Sequence, residues 1–150
     1  MHPQFRFASS ADIELLLDFM RQFYAIDGYL FDAPLARSTM QQIVEDASLG
    51  RVWLIYHQET AIGYVVLTFG FSLEYHGRDA FIDELFLLEA YRRQGIGSQI
   101  MQFVLDACPV LGIHALHLEV ERTNVAGLRL YRKHGFEEHD RSLMTHWIDA

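Results

Sequence analysis

The sequence predicts an α/β (α+β) fold, with a central mixed, mostly antiparallel sheet of about seven strands flanked by about four helices, in a single domain over residues 1–150. Three observations carry this expectation. Apolar residues recur at helical spacing in two early segments, three long strand-like runs then follow one another across short turns, and the remainder alternates between helix and strand patterns. No internal repeat or Pro/Gly/Ser-rich linker interrupts the chain, and 150 residues are enough to bury a core without staples.

Taken in order, "FRFAS" alternates and predicts a short first strand. Ile13, Leu16, Leu17, Met20, Phe23 and Tyr24 fall at helical spacings with Ser9 and Ser10 available as caps, so a helix is expected from Ala11 to Tyr24. "AIDGYLFDAP" reads as a turn-rich aromatic loop, and Met40, Ile43, Val44 and Ala47 give a second helix ending near Gly50. The runs "RVWLIYH", "TAIGYVVLTFGFS" and "AFIDELFLL", joined by "HQET" and "EYHGRD", predict an antiparallel meander. A third helix carries Ile96, Ile100, Phe103, Val104 and Ala107 on its apolar face and closes at Pro109 and Gly112. "HALHLEV" is expected as a strand and "NVAGLRLYRKHG" as a short helix, with Asn124 near its start and Gly135 at its end. "FEEHD" and "SLMTHWI" are expected as two closing strands.

Composition narrows the function. With 12 basic against 20 acidic residues the formal net charge is −8, which argues against nucleic acid as a partner and mildly favours a cationic substrate. The single cysteine, Cys108, excludes an internal disulfide and a cysteine-rich metal site. The eight histidines have no HExxH context and read as structural or solvent-facing, so no metal is expected. "MHPQFRFASSAD" lacks the basic-then-apolar pattern of a signal segment, and no apolar run approaches the length of a membrane span. No membrane partner is expected, and the cytoplasm is the default compartment.

The stretch "AYRRQGIGSQI" holds the clearest chemical signal. Glycines at the mouth of a helix let the backbone approach a ligand, and free N–H groups beside two guanidinium groups suit an anion, most obviously phosphate. A dinucleotide fingerprint would need a glycine where Ile100 stands and an earlier position in the chain, and a Walker loop would need Gly-Lys-Ser/Thr. Neither reading survives. What remains is Arg92-x-x-Gly95-x-Gly97 directly after the strand "FIDELFLL".

"FIDELFLLEAYRRQGIGSQIM" resembles motif A of the GNAT superfamily of acetyl-CoA-dependent N-acetyltransferases, and "NVAGLRLYRKHGFEE" resembles that family's later Asn-x-x-Ala-x-x-Leu-Tyr-x-Lys-x-Gly-Phe segment, in the same order. The element order above also suits the GNAT fold over nearly the whole chain. Three positions depart from the pattern: Gly127 stands where alanine is usual, Glu89 where proline often follows the strand, and Arg93 where glycine often follows the first arginine. None removes a donor that a phosphate needs, although Gly127 loosens its helix by about 1 kcal/mol relative to alanine.

The resemblance implies acetyl-CoA as cosubstrate. Its pyrophosphate would sit on the backbone N–H groups of Arg93, Gln94, Gly95, Ile96, Gly97 and Ser98, with Arg92 adding charge. The pantetheine arm would run along the backbone of Phe86, Leu87 and Leu88. Asn124 matches a residue that contacts the cofactor, with helix capping as the simpler role. Tyr131 matches the tyrosine that protonates the departing thiolate, with a core aromatic as the alternative.

Acetyl transfer to an amine needs no covalent enzyme intermediate, so Cys108 reads as structural. It does need the amine neutral: at a pKa of roughly 10.4 only about one in a few thousand is uncharged at pH 7, a cost of about 4–5 kcal/mol. Asp83 and Glu84 are adjacent acids in an otherwise apolar strand, costly there unless partnered or used. By resemblance to polyamine and diamine acetyltransferases they would hold the cationic amine and relay its proton, Glu84 first and Asp83 second, with a structural salt bridge as the alternative. Successive strand residues face opposite sides, so one of the two faces the cleft unless a bulge intervenes. Tyr24, Asp27, Tyr29 and Asp32 in "FYAIDGYLFDA" offer aromatic faces and negative charge for an ammonium group.

The expected function is thus transfer of acetyl from acetyl-CoA to a primary amine of a small molecule: a polyamine, a diamine or an amino-acid-like compound. A protein lysine or N-terminal acetyltransferase, and an acyl-CoA sensor without turnover, stand as alternatives. The resemblance also implies a homodimer.

Overall fold

Two clusters of buried side chains lie against opposite faces of one five-stranded sheet in the computed structural model, which describes residues 2–149. The strands β1 (Gln4–Phe7), β2 (Gly50–His57), β3 (Thr60–Ser72), β4 (Gly77–Leu87) and β5 (Ala115–His117) lie side by side in sequence order. The first three junctions are antiparallel and β4 pairs with β5 in parallel. The expected meander is therefore present, with a helical crossover before its last strand.

One face is covered by α1 (Ile13–Ile26) and α2 (Ala33–Glu45). Ser9 and Asp12 form a capping box at a short 3₁₀ turn, Ser10–Asp12, that leads into α1. Leu16, Leu17, Phe19 and Met20 then pack on Leu54, Tyr64, Val66 and Phe86 of the sheet. The second helix starts well before Met40, inside the segment expected as a loop. Asp32 accepts from the Leu35 N–H at 3.1 Å and Pro34 occupies the first turn, so starting chemistry rather than apolar periodicity fixes its beginning.

The other face is covered by α3 (Ile96–Val110) and α4 (Val125–Lys133). Ile96, Ile100, Met101 and Val104 pack on Ile55, Val65, Leu67 and Ile82, while Leu130 and Tyr131 of α4 add to the same cluster from outside. Pro109 fits in the last turn of α3.

The sheet has five strands where about seven were expected. "FEEHD" and "SLMTHWI" are not strands, and "HALHLEV" is a strand only over Ala115–His117. The reason is a missing partner. β5 pairs with β4 through Asp79–Phe81 alone and offers an edge of three residues, too short to hold a further ladder. Leu143, Met144, Trp147 and Ile148 accordingly stay exposed within this chain.

Gly63 sets how closely β3 and the end of β4 approach: a Cβ there would lie 2.1 Å from the Phe86 carbonyl oxygen. Backbone cannot yield as a side chain would. Gly63→Ala should therefore destabilise the protein by about 1–3 kcal/mol in urea denaturation, with no change in slope.

Candidate active site

Asp83 is an extra residue in β4. The β3–β4 register runs Leu67 with Ile82 and then Val66 with Glu84, so Asp83 has no partner across the junction. Such a bulge shifts the alternation of the strand by one. Ala80 and Ile82 face the α3 side before it; afterwards Leu85 and Leu87 take that side, and Glu84 turns with Phe86 toward α1. The two adjacent acids consequently differ in setting, with Asp83 exposed at the lip and Glu84 half-buried.

Glu84 is held at both oxygens. Tyr64 of β3 donates its hydroxyl to Oε1 at 2.8 Å, and Tyr24 of α1 donates to Oε2 at 2.5 Å. Burial raises the Glu84 carboxyl above its ordinary 4.5, a rise the two phenols oppose and the nearby Asp83 charge assists. Desolvation likewise raises Asp83. Both phenols are pushed up strongly, first by burial and then by their bonds to the carboxylate, so they serve as donors throughout the neutral range.

Beyond Phe81 the β5 side of β4 is unpaired, because the parallel ladder ends there. The open edge leads past Phe86, Leu87 and Leu88 into the glycine turn. On the β3 side Leu88 continues the pairing by giving its N–H to the Ile62 carbonyl at 2.8 Å, while on the open edge the Leu87 carbonyl accepts from Arg92 Nε at 2.7 Å. Arg92 also lies over the Phe86 ring, so it ties the turn to the strand end.

In the turn itself Arg93 and Gly95 are both left-handed, at φ 60 and 82, and Gly95 is the N-cap of α3. The chain coils so tightly that the backbone N–H groups of Arg93, Gln94, Gly95, Ile96, Gly97 and Ser98 find no acceptor among the described residues. A run of unsatisfied donors at the positive end of a 15-residue helix is a fit for a pyrophosphate. Across the turn, α4 is fastened down by a 2.7 Å contact between Ser98 Oγ and His134 Nε2 and by Leu130, which would sit 3.4 Å from a Cβ on Gly97.

Tyr131 of α4 is half-buried in an edge-on contact with Phe136, and burial raises its hydroxyl above the usual phenol value. It also lines a cavity of about 1120 Å³ between β5, α4 and the chain that follows α4. Glu84 and Tyr131 are on opposite faces of the sheet. Asn124 caps α4, accepting from the Gly127 N–H at 2.9 Å. Its amide lies so near that a Cβ on residue 127 would stand 2.6 Å from Nδ2, so the amide would turn aside for an alanine there.

Of the expected acceptor residues, only Tyr24 reaches Glu84. Asp27 and Tyr29 are exposed, and Asp32 serves as the α2 cap. Sequence reasoning missed Tyr64. The available signal was a hydroxyl in the middle of "AIGYVVL", a run that otherwise reads as continuous core. Among the described residues no group of three or more His, Cys, Asp or Glu is placed to hold a metal, and no helix is long and apolar enough to cross a membrane.

The model of the acetyltransferase (GNAT) family matches residues 14–136, and the chain belongs to that family. Its sequence is 33% identical over 88 residues to YwnH of Bacillus subtilis strain 168, provisionally named a phosphinothricin acetyltransferase, a match covering 56% of this chain and 53% of that protein. The chain thus spans about half the length of this curated relative. Among solved structures, the integron cassette protein HFX_CASS3 from the mobile metagenome of Cole Harbour Salt Marsh has a TM-score of 0.86 at 33% identity, over 98% of this chain and 91% of that one. A protein from Clostridium acetobutylicum, predicted to be an acetyltransferase and solved with acetyl-CoA, has a TM-score of 0.80 at 18% identity, covering 96% of each chain, a likeness of fold.

Gly95 offers a test of the turn. Alanine in the left-handed region costs about 1 kcal/mol or more, so Gly95→Ala should weaken coenzyme A binding about five- to tenfold in calorimetric titration while leaving the fold intact.

Proposed function

We propose that the protein transfers an acetyl group from acetyl-CoA directly to a primary amine of a small molecule, a polyamine, a diamine or an amino-acid-like compound. The observation that carries this reading is Glu84: a half-buried carboxylate, held at both oxygens, beside an open strand edge that runs into a turn of six unsatisfied N–H groups.

The turn from Arg93 to Ser98 would hold the pyrophosphate, and the free edge of β4 near Phe86 and Leu87 would line the pantetheine arm. Bound there, acetyl-CoA supplies the activated acetyl group as a thioester. Glu84 takes a proton from the acceptor ammonium, which frees the nitrogen lone pair to attack the thioester carbonyl carbon. A carboxylate with a raised pKa is a stronger base than a free glutamate. Tyr131, kept protonated by burial, gives its proton to the leaving thiolate as the carbon–sulfur bond breaks, and the second proton that the attacking nitrogen loses in becoming the amide returns through solvent to the Tyr131 oxygen. Asp83 at the lip, with Asp27 and Tyr29 on the neighbouring loop, supplies negative charge and an aromatic face to draw a cation in. Asn124 supports the site by fixing the start of α4.

The exposed Leu143, Met144, Trp147 and Ile148 favour a homodimer in which a second copy covers them. Use of acetyl-CoA supports a cytoplasmic setting for the reaction.

The experiment is thiol release from acetyl-CoA against a panel of polyamines, diamines, lysine analogues, aminoglycosides and short peptides. Turnover confined to small amines is expected; turnover on peptides alone would favour a protein acetyltransferase, and tight coenzyme binding without any thiol release a sensor. Glu84→Gln should lower kcat/KM by about 10²–10⁴-fold, and Tyr131→Phe should lower kcat by about 10²-fold with coenzyme A affinity unchanged in calorimetry. Loss of coenzyme binding in Tyr131→Phe would overturn its role as the acid. The acid limb of kcat/KM should lie above 4.5, because the base must be ionised and its carboxyl is raised.

A further inference from the structure

Tyr64 has no exposed surface at all. Its ring is locked among Phe19, Phe23 and Phe86, at centroid distances of 6.3, 6.5 and 6.2 Å. It stands on β3 two pairs along from Glu84, since Val66 faces Glu84, Val65 faces Leu85 and Tyr64 faces Phe86. Diagonal neighbours on one face of a sheet are within reach of an aromatic side chain. A phenylalanine would fill this aromatic box equally well and would spare the burial of a hydroxyl, so the hydroxyl itself has a use. Its partner is Glu84 Oε1.

The two oxygens of Glu84 are not equivalent. Oε1 is bound to a tyrosine closed off from solvent; Oε2 is bound to Tyr24, which is half-exposed and belongs to the acceptor side. Tyr24 is also joined to the loop after α1, through the Tyr29 N–H on its carbonyl at 2.9 Å and an edge-on contact with Phe31 at 5.6 Å. The last side-chain torsion of a glutamate is broad, so a carboxylate bonded at one oxygen only would still turn. Two donors from different elements stop it.

We infer that Tyr64 is a positioning residue of acetyl transfer: by pinning Oε1 it fixes the carboxylate so that Oε2, beside Tyr24, is the oxygen that receives the acceptor's proton. The inference rests on Glu84 being the base. In the step, one N–H bond of the ammonium breaks and an O–H bond forms at Oε2, while the electron pair stays on nitrogen for attack. The positive charge of the acceptor and the negative charge of Glu84 disappear together. The bond from Tyr64 favours the ionised carboxylate, against burial and the neighbouring Asp83 charge, which favour the protonated form. Removing it leaves the carboxylate both freer to turn and harder to ionise.

The test compares pH–rate profiles of the parent, Tyr64→Phe and Glu84→Gln with acetyl-CoA and 1,4-diaminobutane, beside calorimetric titration of coenzyme A. Tyr64→Phe keeps the ring, and its folding is checked by the thermal midpoint. The expected result is an acid limb of kcat/KM moved up by about one pH unit and a plateau lowered at least tenfold, with coenzyme A affinity unchanged. Glu84→Gln should lose the limb. An unchanged limb and plateau in folded Tyr64→Phe, with the limb lost in Glu84→Gln, would overturn the role of Tyr64 and leave the base reading standing. A limb retained in Glu84→Gln, or no thiol release from the parent with the diamine, would instead overturn the reading of Glu84 and its substrate class, and the inference with it.

Discussion

A single extra residue in β4 governs what the rest of the site becomes. Without the bulge at Asp83, the alternation that points Ala80 and Ile82 at α3 would carry Glu84 there as well, into the apolar cluster around Ile96 and Ile100. With it, Glu84 is turned to the α1 face, where Tyr24 and Tyr64 wait as donors. A half-buried carboxylate needs partners to remain charged, and this face supplies two.

The same strand carries a second constraint. β4 is paired on the β3 side from Gly77 to Leu87 except at Asp83, but only through Asp79–Phe81 on the β5 side. The unpaired part of its edge leads straight to the left-handed turn and the start of α3. A strand edge offers main-chain groups to an extended chain, and a helix start offers them to an anion. A molecule with an extended arm and a pyrophosphate matches both at once. The packing of α4 on the first turn of α3, through Leu130, Ser98 and His134, fixes Tyr131 against the α3 side of the sheet.

Several elements were legible because their signals are local. Ser9 and Ser10 mark a helix start, and Ser9 is its cap; the meander is written in three apolar runs, and Gly95 and Gly97 mark the turn before α3. The early start of α2 was written in Asp32 and Pro34 but lost beside the weaker apolar period. The closing strands failed for a different reason. "SLMTHWI" has strand periodicity, yet a strand needs a neighbour, and the short β5 within this chain does not provide one. Asn124 was legible as the residue at the start of α4, and it caps that helix.

The sequence by itself determined the family, the turn and the presence of two acids side by side, since each rests on residue types at fixed separations along the chain. Tertiary structure alone decided that Asp83 is the bulge and Glu84 the clamped acid, and that Tyr24 is a carboxylate partner while Asp27 and Tyr29 stay outside. It decided the role of Tyr64 too. Tyr64 and Glu84 are 20 residues apart and Tyr24 and Glu84 are 60 apart. No periodicity joins such positions; they meet because a one-residue shift in strand register and the burial of an aromatic box bring three elements to one point.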